Sequence, residues 1–102
     1  MSLKHLVMNM FLMYYIHEVN NMLSNKIKSL LALKKRKSVE YSKALGLNHS
    51  NALTTKYMRE SFKPRDLIIL GEITGTRLAF IDENDKPVIV FDRNDLPNEK
   101  HN

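Results

Sequence analysis

Cysteine and tryptophan are absent from the 102 residues, and glycine and proline occur only three times each. Without cysteine there is no disulfide and no thiolate metal site, a composition that fits a reducing compartment. No glycine-rich phosphate loop can be drawn, and no nucleophile stands in a pattern with a base. Glu72 has no second carboxylate to work with and reads as a surface position. His5, His17, His49 and His101 show no ligand spacing. The expectation is a protein that is not an enzyme and that carries no cofactor or metal. A long hydrophobic run is also lacking. Leu6 to Ile16, broken by Asn9, falls short of the roughly 20 residues that cross a bilayer, so no membrane span is expected. Lys4 precedes that run as in a secretory signal, yet Tyr14, Tyr15, Ile16 and His17 offer no small-residue cleavage site. A cytoplasmic chain is the expectation.

What is there is cation. The net charge is +5, and it is unevenly spread. Residues 24 to 65 carry eleven Lys and Arg against Glu40 and Glu60, a balance of +9, whereas residues 66 to 102 carry eight acids against four cations, a balance of −4. A basic middle beside an acidic end suits a module that faces a polyanion and keeps a second surface for something else. The competing reading is a solvated basic face. A chain this short is one domain with a small core, so a second copy that adds buried surface is also expected.

Lys37 to Met58 organises the rest. Ser38 is suited to cap a short helix with Glu40 in its first turn, and Tyr41, Ala44 and Leu45 give that helix its buried side. Gly46 ends it in the left-handed conformation, and Leu47 is an apolar plug in the turn. Asn48 or Ser50 can cap a second helix through Ala52, Leu53 and Tyr57. Two short helices around a glycine turn have the sequence form of a helix-turn-helix.

Over these residues the chain resembles the Cro/CI, or Xre-type, helix-turn-helix regulators. Ser38, Ser42, Gly46 and Leu47 occupy the opening polar place, the small place four before the turn glycine, the glycine, and the apolar place after it. Ser42 stands where that family usually has alanine. The stretch from Lys56 to Leu96 also looks like the tail of small repressor-like proteins of Firmicutes and their phages, so the resemblance spans roughly residues 24 to 95. The apolar anchor of the second helix is either Ala52, at the usual distance from Gly46, or Leu53, one residue later. The implied fold is mainly α, a lambda-repressor-like helix-turn-helix bundle with a C-terminal β-hairpin. The implied function is sequence-specific binding of double-stranded DNA by a dimeric transcriptional regulator, a repressor where the operator overlaps a promoter.

On that reading the second helix enters the major groove, and His49, Ser50, Asn51, Thr54 and Thr55 are the candidate base readers. Asn can pair with adenine in a bidentate way, and threonine can hydrogen-bond or touch a thymine methyl. Lys35, Arg36 and Lys37 run into Ser38 at the start of the first motif helix, and these four, with Lys56, Arg59 and Lys63, are the candidate phosphate contacts.

Four segments follow. Residues 1–22 form an apolar N-terminal extension, either helical and packed on a second chain or poorly ordered upstream of a fold that starts at Met22. Residues 23–75 form the helical domain. Its first helix, from about Ser24 to Lys34, carries the stripe Leu23, Ile27, Leu30 and Leu31. After Phe62, tucked into the core, a last helix opens on Pro64, is stopped by Gly75, and contains Gly71 at a cost in propensity. Residues 76–92 read as a hairpin, with strands from Arg77 to Asp82 and from Lys86 to Phe91, Pro87 opening the second. Both its faces are apolar, so Leu78, Phe80, Val88, Val90 and Phe91 are expected at a homodimer interface. Residues 93–102 form a polar tail in which only Leu96 suggests docking. A reading of another class keeps the same hairpin as a grip on a protein partner, as in an antitoxin or a mobile-element inhibitor.

Overall fold

A computed structural model describes residues 22–49 and 51–97; the expectations for the apolar segment before Met22, for Ser50 and for residues 98–102 lie outside it. Among the described residues four helices precede the strands: α1 Leu23–Leu33, α2 Ser38–Ala44, α3 Ala52–Arg59 and α4 Pro64–Thr74. An antiparallel pair, β1 Leu78–Ile81 and β2 Pro87–Phe91, and a 3-10 turn at Arg93–Asp95 complete the order. A helical domain with a C-terminal hairpin is thus what the chain forms.

The stripe of α1 works as its spacing predicts, with Ile27 and Leu31 buried and Leu23 and Leu30 packed partly against them. Its last carbonyls are taken by Lys35 N–H to Ala32 at 3.1 Å and Arg36 N–H to Leu31 at 2.8 Å. That closure puts Lys35 in the left-handed region, at φ 56°, a place that glycine usually fills. Helix α2 ends in the same way on a real glycine, Gly46 at φ 76°, with Leu47 N–H bonded to Ser42 C=O at 3.1 Å.

Two caps differ from expectation. Ser38 is the first helical residue of α2 rather than its cap; extended Lys37 precedes it, and the Glu40 carboxylate accepts the Lys37 N–H at 3.2 Å. The residue before α3 is Asn51, not Asn48. Burial decides between the two anchors. Leu53 is buried in the core and Ala52 is only half-buried.

Helix α4 begins on Pro64 and stops at left-handed Gly75, as read. Its Ile68, Ile69 and Leu70 are buried. Gly71 has a steric cause: a Cβ there would lie 2.9 Å from the carbonyl oxygen of Thr76, where the chain turns back over the helix toward β1. Tyr41, fully buried, ties α2 to α4 by donating its hydroxyl to the Asp66 carbonyl at 2.8 Å. Burial pushes that phenol well above its ordinary range. Phe62 is half-buried, its ring 5.5 Å from Tyr57 and 6.5 Å from Tyr41. Burying a side chain of this size stabilises by roughly 1.5–3 kcal/mol, so Ile27, Tyr41, Leu53 and Ile69 carry much of the small core.

The hairpin pairs Leu78 with Phe91, Ala79 with Val90, Phe80 with Ile89 and Ile81 with Pro87, with an irregularity between Phe80 and Ile81 that leaves Val88 unmatched. Asp82 shapes its turn by accepting the N–H groups of Asn84 at 2.8 Å and Lys86 at 3.1 Å. The tail docks by a pair that its sequence did not suggest. Arg93 holds Glu72 of α4 through two bonds, Nε to Oε2 at 2.9 Å and an Nη2 bond to Oε1 at 2.7 Å.

Candidate nucleic-acid interface

Leu53 and Tyr57 turn α3 inward, and this leaves Asn51, Thr54, Thr55, Met58 and Arg59 exposed along its other side. Three of the expected base readers, Asn51, Thr54 and Thr55, therefore share one outward helical face. His49 is exposed in the turn before it. Thr55 donates its hydroxyl to the Asn51 carbonyl at 3.0 Å, so toward solvent it offers acceptor lone pairs and a methyl group.

Thr54 and Met58 form one wall of an open groove whose other walls are Ser38, Val39 and Ser42 of α2 and Lys28 of α1. An expected phosphate contact, Ser38, and an expected base reader, Thr54, thus meet in one concavity. Its floor is Leu53 and the Tyr57 ring. The Lys28 ammonium sits 4.7 Å from the centre of that ring, a cation–π contact. The Tyr57 hydroxyl is buried without a hydrogen bond of good geometry. Burial raises its pKa, and the nearby Ser38 side chain works the other way.

The cations divide into two kinds. Lys35, Arg36, Lys37, Arg59 and Lys63 are exposed, and Arg36 lies 3.8 Å from Glu40 across one helical turn. Lys56 is different. Its ammonium is 2.9 Å from the Asp66 carboxylate, with the Ser61 carbonyl at 3.3 Å and the Phe62 ring centre at 5.8 Å. Asp66 in turn accepts the Lys63 N–H at 2.9 Å at the start of α4. Through this pair Lys56 joins α3 to α4, unlike the other expected phosphate contacts.

The five expected interface positions of the hairpin do not share one face. Cross-strand partners lie on the same side of a sheet, so Leu78, Phe80, Ile89 and Phe91 share one face and Ala79 and Val90 the other. Leu78 and Phe91 are half-buried beside Ile68 and Glu72 of α4 and seat the hairpin on the helices. The freely exposed apolar part is its outer half, where Phe80 is 68% exposed and Ile89 53%.

Sequence reasoning passed over Lys28, Val39 and Met58. None of the three has a spacing or a neighbour in sequence that points to a site; the groove brings them together. Among the described residues no cluster of metal-ligating side chains occurs, and no helix is long and apolar enough to cross a membrane. Comparison of the chain with protein-family models, with curated proteins and with solved structures finds no match.

Proposed function

We propose that the chain is a sequence-specific double-stranded DNA-binding regulator of the Cro/CI helix-turn-helix type, acting as a dimer. The observation that carries this reading is the α2–Gly46–α3 unit. Its inner side is Tyr41, Leu45 and Leu53, and its outer side presents Asn51, Thr54 and Thr55 beside a groove opening on Ser38 and following the exposed cations Lys35, Arg36 and Lys37. A polar, hydrogen-bonding helix face next to exposed cations has the chemistry to meet base edges and phosphates together. Lys35, Arg36, Lys37, Arg59 and Lys63 hold the backbones, Ser38 adds a hydroxyl, and α3 supplies preference. Occupying an operator that overlaps a promoter represses it.

The test is selection from random duplexes by the purified chain, followed by Asn51→Ala, Thr54→Ala and Thr55→Ala variants. Loss of preference with salt-sensitive weak binding retained supports the assignment. Unchanged preference in all three removes α3 as the reading helix.

A second reading rests on the exposed outer half of the hairpin, where Phe80, Ile81, Val88 and Ile89 are each more than half exposed. Such a surface suits a protein partner, as in an antitoxin or a mobile-element inhibitor. In that case the hairpin, not α3, holds the residues whose loss abolishes function.

A further inference from the structure

Met58 is 80% exposed at the end of α3, and Val39 is 56% exposed across the same groove. Neither is needed by the core, and both stand on the walls of a groove floored by Leu53 and the Tyr57 ring and edged by Lys28, Ser38 and Thr54. Resting on the DNA-binding reading above, we propose that Met58 is a specificity residue that reads a thymine methyl group, so that each half-site contains a thymine at a position set by Met58.

Three features support that occupant over others. Met58 follows Asn51 by seven residues, two helical turns, which returns it to the outward line occupied by Asn51 and Thr55. The rise of about 1.5 Å per residue places it about 10 Å further along the helix, still within the reach of a helix lying in a major groove. Above the floor of Leu53 and Tyr57, the edge of the groove is cationic and hydroxylated: Lys28, Ser38 and Thr54 line it, and exposed Arg59 follows Met58 in sequence. An apolar protein partner would have to bury those groups unpaired. DNA brings phosphates for the cations and a single apolar group, the 5-methyl of thymine, for the methionine. A flexible thioether side chain can follow such a small target.

The experiment uses the full chain and the duplex recovered by selection, with each thymine replaced in turn by deoxyuridine, which removes only the methyl group. The proposal predicts that one replacement per half-site weakens binding about fourfold, the equivalent of one buried methyl group. Met58→Ala should weaken binding to the parent duplex and lose sensitivity at that position alone, while Met58→Leu keeps it. Because Met58 is exposed, these variants fold as the parent does. If no deoxyuridine replacement matters, or if Met58→Ala is as sensitive as the parent at every thymine, Met58 reads no methyl group. A selected motif with either of these results overturns the Met58 assignment and leaves the DNA reading standing. Failure to select any motif overturns both.

Discussion

Glu60 caps a helix that is not its own. It is the left-handed residue that ends α3, at φ 51°, and its carboxylate reaches the first turn of α1, where it accepts the Ser24 N–H at 3.0 Å and the Ser24 hydroxyl as well. The same hydroxyl, which has one proton for the two acceptors, also lies 2.7 Å from the Tyr57 carbonyl, so Ser24, buried at the start of α1, is held against the end of α3. The end of the proposed reading helix is thereby fixed to the start of the domain.

This pair predicts an acid transition. The Ser24 hydroxyl and N–H hold the Glu60 carboxyl below the ordinary glutamate value. The unfolded chain then binds more protons than the folded one between the two values, so stability rises with pH across that window. The contribution is complete above about pH 4.5, the ordinary value, and is lost as pH falls through the lower folded value. Glu72, lowered by Arg93, acts in the same direction. Urea unfolding midpoints measured from pH 3 to pH 7 should fall on the acid side, and Glu60→Gln should flatten that fall. An unchanged acid limb in Glu60→Gln would show that the Ser24 contact contributes nothing.

Lys56 and Lys35 should separate stability from binding. Lys56→Met leaves the buried Asp66 carboxylate without its ammonium partner and should cost about 3 kcal/mol, with the salt dependence of DNA binding unchanged. Lys35→Gly removes an exposed cation but relieves a left-handed lysine. It should stabilise by about 1 kcal/mol and reduce the salt slope by about 1. Denaturant unfolding and anisotropy titration read the two effects independently.

Gly71→Ala should go against helix propensity. Alanine there gains about 1 kcal/mol of intrinsic preference, yet its Cβ would meet the Thr76 carbonyl at 2.9 Å, a backbone atom that cannot move aside cheaply. The net result should be a loss of about 1–3 kcal/mol, the usual cost of overpacking. A rise in the unfolding midpoint would mean that the turn after α4 shifts freely.

Gly71 also shows where sequence reading ends. Gly46, Pro64, Gly75 and the turn between the two strands were legible because each acts on its own few residues through backbone geometry. Gly71 looked like a defect because its reason lies in the chain that turns back over it. The same holds for Glu60 with Ser24, Lys56 with Asp66 and Arg93 with Glu72, pairs that join separate elements and have no signature in spacing. In the candidate site, the exposed face of α3 was legible from Asn51, Thr54 and Thr55. The Leu53 register and the groove holding Met58 and Val39 were not, since burial decides the first and separate helices together build the second.

The hairpin predicts the oligomeric state. Ile89 is half exposed and paired with Phe80, so Ile89→Asp places a charge on the open apolar face without entering the helical core. Sedimentation equilibrium should show a dimer for the parent chain and a monomer for the variant, with circular dichroism of the helices unchanged. A parent chain that is monomeric at every concentration would move the hairpin to the protein-partner reading.

The central claim is met most directly by titrating the selected duplex and a scrambled duplex of equal composition with the full chain over a salt series, read by fluorescence anisotropy. The account predicts a palindromic site with half-sites about one helical turn apart, bound more tightly than the scrambled duplex by a factor on the order of 10³ or more. Both should weaken with salt along a log–log slope of about −0.9 per phosphate contacted. Equal and weak binding to the two duplexes, with no motif enriched, would contradict it and leave the basic middle of the chain as a nonspecific polyanion surface.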